Sequence, residues 1–383
     1  MPARPAVRCD YFDKGECASC SWITRPYAEQ LTAKNRHLHS LLDDHQPRQW
    51  REPMASPEQG FRNKAKMAVL GTARAPLLGI VNHKGEPISL CDCPLYPEDM
   101  QALLRRIQAW VRQAGLIPYD IKRREGELKF VLLTRSQSAG EYMLRFVLRS
   151  EQTLSRLKEH LPRLLADHPN ITVVSANIQP VHMAVIEGEK EILLSDKTRL
   201  TETLNDVPLY IRPKGFFQTN SAVAATLYAT AREWAAEIKP ASLWDLYCGV
   251  GGFGLHCAGA DTALTGIEIE PEAIACAQLS AETMGLKQVS FAALDSESFT
   301  TQEGSAPALI IVNPPRRGLG EALCKQLVTI APQTIFYSSC NPETLARDLS
   351  QLTGYRLERV QLFDMFPHTT HYEALVMLLR DTN

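Results

Sequence analysis

No apolar run in this sequence approaches the roughly 18 residues that a membrane-crossing helix needs, and Met1 to Arg8 hold no apolar core of a secretion signal. A cytoplasmic location is the resulting expectation. An excess of one charge is missing as well: 41 Lys and Arg stand against 43 Asp and Glu, which argues against a protein that coats nucleic acid indiscriminately. Nor is the chain short of apolar residues as a disordered one would be. With 45% hydrophobic and 22% charged residues over 383 positions, two or three globular domains are expected. Cysteine is not scarce: ten of them in a reducing compartment read as metal, cluster, catalytic or buried thiols rather than as a disulfide framework.

The stretch Leu243-Trp-Asp-Leu-Tyr-Cys-Gly-Val-Gly-Gly-Phe-Gly254 is an apolar strand that breaks into glycines and runs on into a helix. Such a turn lets backbone approach a ligand and offers unpaired N–H groups at the helix start. Gly249, Gly251 and Gly254 also satisfy the dinucleotide pattern, so the turn alone leaves NAD and S-adenosylmethionine both open. The next apolar run, Thr262 to Ile269, places Glu268 at its carboxyl end, where an acid can accept ribose hydroxyls.

Near the start, Cys9, Cys17 and Cys20 are spaced C-x7-C-x2-C, with Cys91-Asp-Cys-Pro94 far downstream. Four thiolates suit zinc or an iron-sulfur cluster equally. Cys93 is the preferred fourth ligand because the Cys-Pro step fixes the following φ and removes a competing donor, with Cys91 the alternative. A helix is expected from Tyr27 to Leu42. Between Gly60 and Ser195, strand-like runs alternate with helices near Pro97–Ala114 and Thr153–Ala166, which reads as an α+β domain with an antiparallel sheet. Arg62, Lys64 and Lys66 would share one strand face, either solvated or aimed at RNA; Lys122-Arg-Arg124 is a second basic concentration.

Ahead of the glycine turn, Phe216 and Phe217 read as core residues, while Gln218 stands at a helix entrance as a cap or a cofactor contact. From Ala241 onward strands and helices alternate as in a doubly wound parallel sheet. Asn313-Pro-Pro-Arg-Arg-Gly318 follows one buried strand and Cys340-Asn-Pro342 the next, so both fall at the carboxyl edge where such sheets bind ligands. Cys257, Cys276 and Cys324 read as packing. Glu373 begins the last strand.

Gly249-Val-Gly-Gly-Phe-Gly254, Asn313-Pro-Pro-Arg-Arg-Gly318, Ser338-Ser-Cys-Asn341 and His371-Tyr-Glu373 together resemble the RNA uridine-C5 methyltransferases, over the whole chain. With Cys9 close to the first residue, the sequence is most similar to the short, cluster-bearing branch that acts on 23S ribosomal RNA. Relatives acting on transfer RNA usually lack the cluster cysteines. Many members have Asp where this chain, like the short branch, has Asn313; an amide cannot be a base, so any acid-base role falls to other residues.

The resemblance implies an α/β fold: a class I, Rossmann-like, S-adenosylmethionine-dependent methyltransferase domain over 208–383, a central α+β RNA-binding domain over 60–207, and an iron-sulfur segment over 1–59. It further implies a 4Fe-4S cluster on Cys9, Cys17, Cys20 and Cys93, cofactor contacts at Gln218, Tyr247, Glu268 and Asn313, the nucleophile at Cys340 and the base at Glu373. Uracil C5 is a poor nucleophile until a thiolate adds to C6, and a base must later remove the C5 proton; Arg316 or Arg317 would lower the thiol pKa. The target uridine must leave its stack. An NAD-dependent oxidoreductase, a transfer RNA enzyme and a non-enzymatic metal-stapled RNA-binding protein are the competing readings; no obligate protein partner is expected.

Overall fold

The computed structural model describes residues 7–183, 185–300 and 305–381, and they form two compact units. One gathers Val7–Cys20 with Gln59–Glu202, and the other gathers Ser21–Glu58 with the chain from Thr203 onward. Residues 7–58 thus do not cluster as one body. Val7–Cys20 falls in the one and Ser21–Glu58 in the other.

In the central unit, seven strands pair in the order Pro87–Ser89, Ala75–Val81, Lys64–Thr72, Leu128–Arg135, Tyr142–Leu148, Ile171–Ile178, Lys190–Leu193. Strand alternation sends Met67, Val69, Val131, Leu133 and Phe146 to one face, where they meet Leu104, Ile107 and Trp110 of helix Glu98–Gln113 and Leu157 and Leu161 of helix Leu154–Asp167. The expected antiparallel sheet is corrected at one place. Tyr142–Leu148 and Ile171–Ile178 are parallel, because helix Leu154–Asp167 carries the chain back to the end from which it started.

The second unit is built on eight strands: β1 Gln49–Trp50, β2 Ser242–Leu246, β3 Ala263–Glu268, β4 Val289–Ala293, β5 Leu309–Val312, β6 Thr334–Ser339, β7 Tyr355–Phe363 and β8 Glu373–Arg380. Their order is β1-β7-β8-β6-β5-β2-β3-β4. The pairs β1–β7, β2–β3, β2–β5, β3–β4 and β5–β6 are parallel, whereas β8 runs antiparallel to both β6 and β7. Continuous apolar runs such as Leu309–Val312, buried at every residue, fit a sheet covered on both faces. The reversal of β8 was not part of the expected parallel sheet. It brings the first residue of the last strand to the same edge as the carboxyl ends of β2, β5 and β6.

Helix Tyr27–Leu42 buries Gln30, Lys34, Leu38 and Leu42, a stripe of i, i+4 spacing with two polar members. Both are paid for by partners from the segment after β7. Lys34 Nζ donates to Asp364 Oδ1 at 2.6 Å and to the Phe366 carbonyl at 3.0 Å, and Tyr27 Oη donates to Asp364 Oδ2 at 2.8 Å. Gln30 Oε1 accepts from the His368 N–H at 2.8 Å. No helix of the described residues is long and apolar enough to cross a membrane.

Candidate active site

The carboxyl edge of the second unit's sheet collects the residues singled out in the sequence. Tyr247 follows β2 with a positive φ of 59°, and Gly249 has φ 54° with open space where a Cβ would stand. The later glycines serve packing rather than ligand approach. A Cβ on Gly252 would lie 2.5 Å from the Tyr228 ring, and one on Gly254 would lie 2.8 Å from Asp245 Oδ2. Gly249 is therefore the glycine of this turn with open space beside its backbone.

Glu268, at the end of β3, is already used by the backbone: Oε2 accepts from the Gly249 N–H at 3.1 Å, and Oε1 from the N–H groups of Ile269 at 2.8 Å and Glu270 at 3.2 Å. A carboxylate has about four acceptor sites, so capacity for a ribose hydroxyl remains. Asn313 lies just past β5, its N–H 3.4 Å from the Leu246 carbonyl. Gln218 is buried and hydrogen-bonded to Tyr228, whose ring is stacked on His256 and set edge-on to Phe253. Gln218 is not the helix cap: that role falls to Asn220, whose Oδ1 accepts from the Val223 N–H at 3.2 Å. Phe217 is buried as expected, but Phe216 is 71% exposed, which corrects its reading as core.

Sequence reasoning passed over Asp245. Its side chain is buried inside β2, where Oδ2 accepts from the Gly254 N–H at 2.7 Å and Oδ1 has no partner. Burial lifts its pKa to about 7, with Glu268 adding repulsion. A charged residue within an apolar strand was the available signal.

Cys340 caps the tip of β6, and Glu373 opens β8 beside it. Glu373 is 2% exposed and accepts from Ser338 Oγ at 2.6 Å; burial raises its pKa to about 7. The Cys340 thiol is pushed up by burial and by the Glu373 charge, and Arg316 pulls it down. The balance is upward, which corrects the expectation of a lowered thiol pKa: of the two arginines proposed, Arg316 acts on the thiol but does not outweigh burial. Arg317 acts on Tyr247 instead. Arg316 Nη2 lies 3.2 Å from His371 Nδ1, and burial and Arg316 keep the His371 pKa low, so the ring accepts the arginine's N–H. A cavity of about 520 Å³ opens over Cys340; Trp22, Lys34 and His37 line it together with Arg316 and His371. Gln218, Tyr247, Glu268, Asn313 and Glu373 do not line it. Cys257, Cys276 and Cys324 are buried, as packing thiols should be.

In the central unit, Cys20 is raised to about 12 by burial and then by the charges of Cys93, Cys17 and Cys9; Cys93 is raised to about 11 by burial, with Cys9 and Cys17 adding to it. These four thiols thus share one neighbourhood. Cys91 is buried in the core, with its Sγ 3.5 Å from Gln108 Oε1. No group of three or more His, Cys, Asp or Glu among the described residues is set to hold a single metal ion. Arg62 acts on the Cys20 and Cys93 thiols, so it stands by the cysteines, while Lys64, Lys66 and Arg145 act together on the opposite face of the sheet.

A parallel sheet with a reversed final strand, a glycine turn after its central strand and an acid at the end of the next is the class I methyltransferase fold. The family described as tRNA (Uracil-5-)-methyltransferase matches residues 177–381. The chain is 61% identical over 376 residues to the 23S rRNA (uracil(747)-C(5))-methyltransferase RlmC of Shewanella loihica, covering 98% of this chain and 99% of that one. To the protein of the same name from Shewanella pealeana it is 60% identical over 376 residues, covering 98% and 100%. The crystal structure of Pyrococcus abyssi tRNA (uracil-54, C5)-methyltransferase in complex with S-adenosyl-L-homocysteine superposes with a TM-score of 0.78 at 26% identity, over 94% of this chain and 85% of that one. The chain belongs to the tRNA (uracil-5-)-methyltransferase family.

Proposed function

We propose that this protein transfers a methyl group from S-adenosylmethionine to C5 of a uridine in 23S ribosomal RNA, the counterpart of uracil 747 named for its relatives, giving 5-methyluridine. The observation that carries the reading is identity near 60% along essentially the full length of those relatives. An enzyme acting on ribosomal RNA works in the cytoplasm, and no membrane is involved.

S-adenosylmethionine supplies the methyl as a sulfonium. The open Gly249 backbone, the acceptor capacity left on Glu268, Tyr247 and Asn313 just past β2 and β5, and Gln218 bonded to Tyr228 beside Gly252 fit a nucleoside cofactor. Cys340, once its thiol proton has gone to solvent, bonds through Sγ to uracil C6; the C5–C6 π pair moves to C5, which takes the methyl as the bond between methyl and the sulfonium breaks. Glu373 then accepts the C5 proton; the C–H pair re-forms the C5–C6 double bond and the Cys340 thiolate leaves. The adjacency of Cys340 and Glu373 supports this sequence.

The shared neighbourhood of Cys9, Cys17, Cys20 and Cys93 supports a 4Fe-4S cluster on these thiolates, with Cys93 rather than Cys91 as the fourth ligand. The reaction has no redox step, which favours a structural staple as the simpler role for the cluster. The central unit grips the RNA backbone. Incubation with methyl-labelled cofactor and unmodified 23S ribosomal or transfer RNA, followed by mapping of the product, tests the whole: label confined to a 23S uridine is expected, and label in transfer RNA alone would overturn the substrate.

A further inference from the structure

The cavity over Cys340 has a wall that methyl transfer does not use, formed by Trp22 and helix Tyr27–Leu42. At about 520 Å³ it falls among sites that take a drug-sized ligand, more than one pyrimidine ring requires. Lys34 lines it but is spent as a peg, its ammonium ion-paired to Asp364 at 2.6 Å with both side chains fully buried. His37 also lines the cavity, with its side chain 46% exposed. Its Nδ1 is 2.9 Å from Tyr372 Oη, and its Nε2 edge points toward Glu343, 3.8 Å away. Trp22 has its backbone fastened from both sides: its N–H donates to the His368 carbonyl at 2.9 Å and its carbonyl accepts from Gln30 Nε2 at 3.0 Å. Arg25 lies over its ring, 4.5 Å from the centroid. A half-buried indole on a rigid backbone is a stacking platform that loses little entropy on binding.

We propose that Trp22 and His37 form a subsite for the RNA nucleotide next to the target uridine, Trp22 stacking on its base and His37 donating to its phosphate. The subsite rests on the reading that uridine-containing RNA is the substrate. Arg316, oriented by His371, and the Nε2 edge of His37 suit a phosphate that competes with Glu343 for the imidazole, and an aromatic surface suits a base pulled from its stack when the uridine is flipped. The buried Gln30, Lys34, Asp364 and His368 network fixes the register of the helix that carries His37.

The test uses the full chain as wild type, Trp22→Ala, Trp22→Phe and His37→Ala, with an RNA hairpin from 23S ribosomal RNA carrying the target uridine. Trp22→Ala and His37→Ala are each expected to raise the RNA Kd and KM about tenfold, the loss of roughly one stacked base or phosphate contact. Their kcat at saturating RNA and their calorimetric affinity for S-adenosylmethionine should stay as in wild type, and Trp22→Phe should restore most of the RNA affinity. A hairpin with an abasic nucleotide beside the uridine should bind wild type and Trp22→Ala alike. Unchanged RNA affinity in both alanine variants, or a loss of cofactor affinity that matches the loss of RNA affinity, overturns the subsite. Wild type run in parallel separates the two failures: methylation by wild type with no effect in the variants sinks the subsite alone, whereas no methylation by wild type sinks the substrate reading and the subsite with it.

Discussion

Glu373 shows how burial makes a base out of a residue that would be a weak one in water. A carboxyl with its pKa raised to about 7 is neutral in acid and charged only as pH rises through neutrality, so methyl transfer is expected to fall as pH drops below about 7. The raised Cys340 thiol acts in the same direction. A pH profile of kcat/KM that is flat from pH 6 to 8 would contradict this. Folding linkage has its own sign. The native state holds the Glu373 proton that the unfolded chain releases near its ordinary value, so this group's contribution falls between pH 4.5 and about 7. Glu373→Gln should therefore be the more stable protein at pH 8, by on the order of 1–3 kcal/mol in urea titration. The same variant should accumulate an RNA adduct that survives denaturing gels. Cys340→Ala should form no adduct even with 5-fluorouridine RNA and should lose methylation entirely.

At the scale of elements, helix Tyr27–Leu42 was legible in the periodicity of its sequence, but its destination was not. Lys34 and Gln30 look like surface residues until the segment after β7 supplies Asp364 and His368. Removing one partner of a fully buried pair leaves a charge uncompensated. Asp364→Ala is expected to cost about 3–5 kcal/mol in urea unfolding, and Lys34→Met with Asp364→Leu to recover much of it. An Asp364→Ala midpoint equal to wild type would show that the pair does not anchor the helix. β1 was missed because two residues are too few to display a period, and the parallel pairing in the central sheet because periodicity does not give strand direction.

For the whole molecule, Cys20→Ser or Cys93→Ser should abolish iron and acid-labile sulfide and lower the thermal midpoint, while Cys91→Ser keeps both iron and sulfide. Zinc in place of iron in anaerobically purified protein would remove the cluster from the proposal. RNA affinity should fall with salt, and the slope should report the basic face. Arg62 stands by the cysteines rather than on the basic face, so replacing Arg62, Lys64 and Lys66 together should lower the log–log slope by fewer than three contacts, each worth about 0.7–0.9. Arg62→Ala alone should disturb the thiols more than the slope, since its charge acts on Cys20 and Cys93.

Local pattern determined what local pattern can: the glycine turn after an apolar strand, Asn313 and Cys340 at strand ends, and the C-x7-C-x2-C spacing each follow from contiguous residues. Family resemblance then attached roles to them. Tertiary structure alone decided that Glu373 sits against Cys340, because only the antiparallel insertion of β8 between β6 and β7 brings the start of one strand to the ends of the others. It also decided that Cys340 stays a poor acid and that Asp245 is a buried carboxyl under the glycine turn. Burial and through-space charge come from neighbours distant in sequence, and no window along the chain contains them.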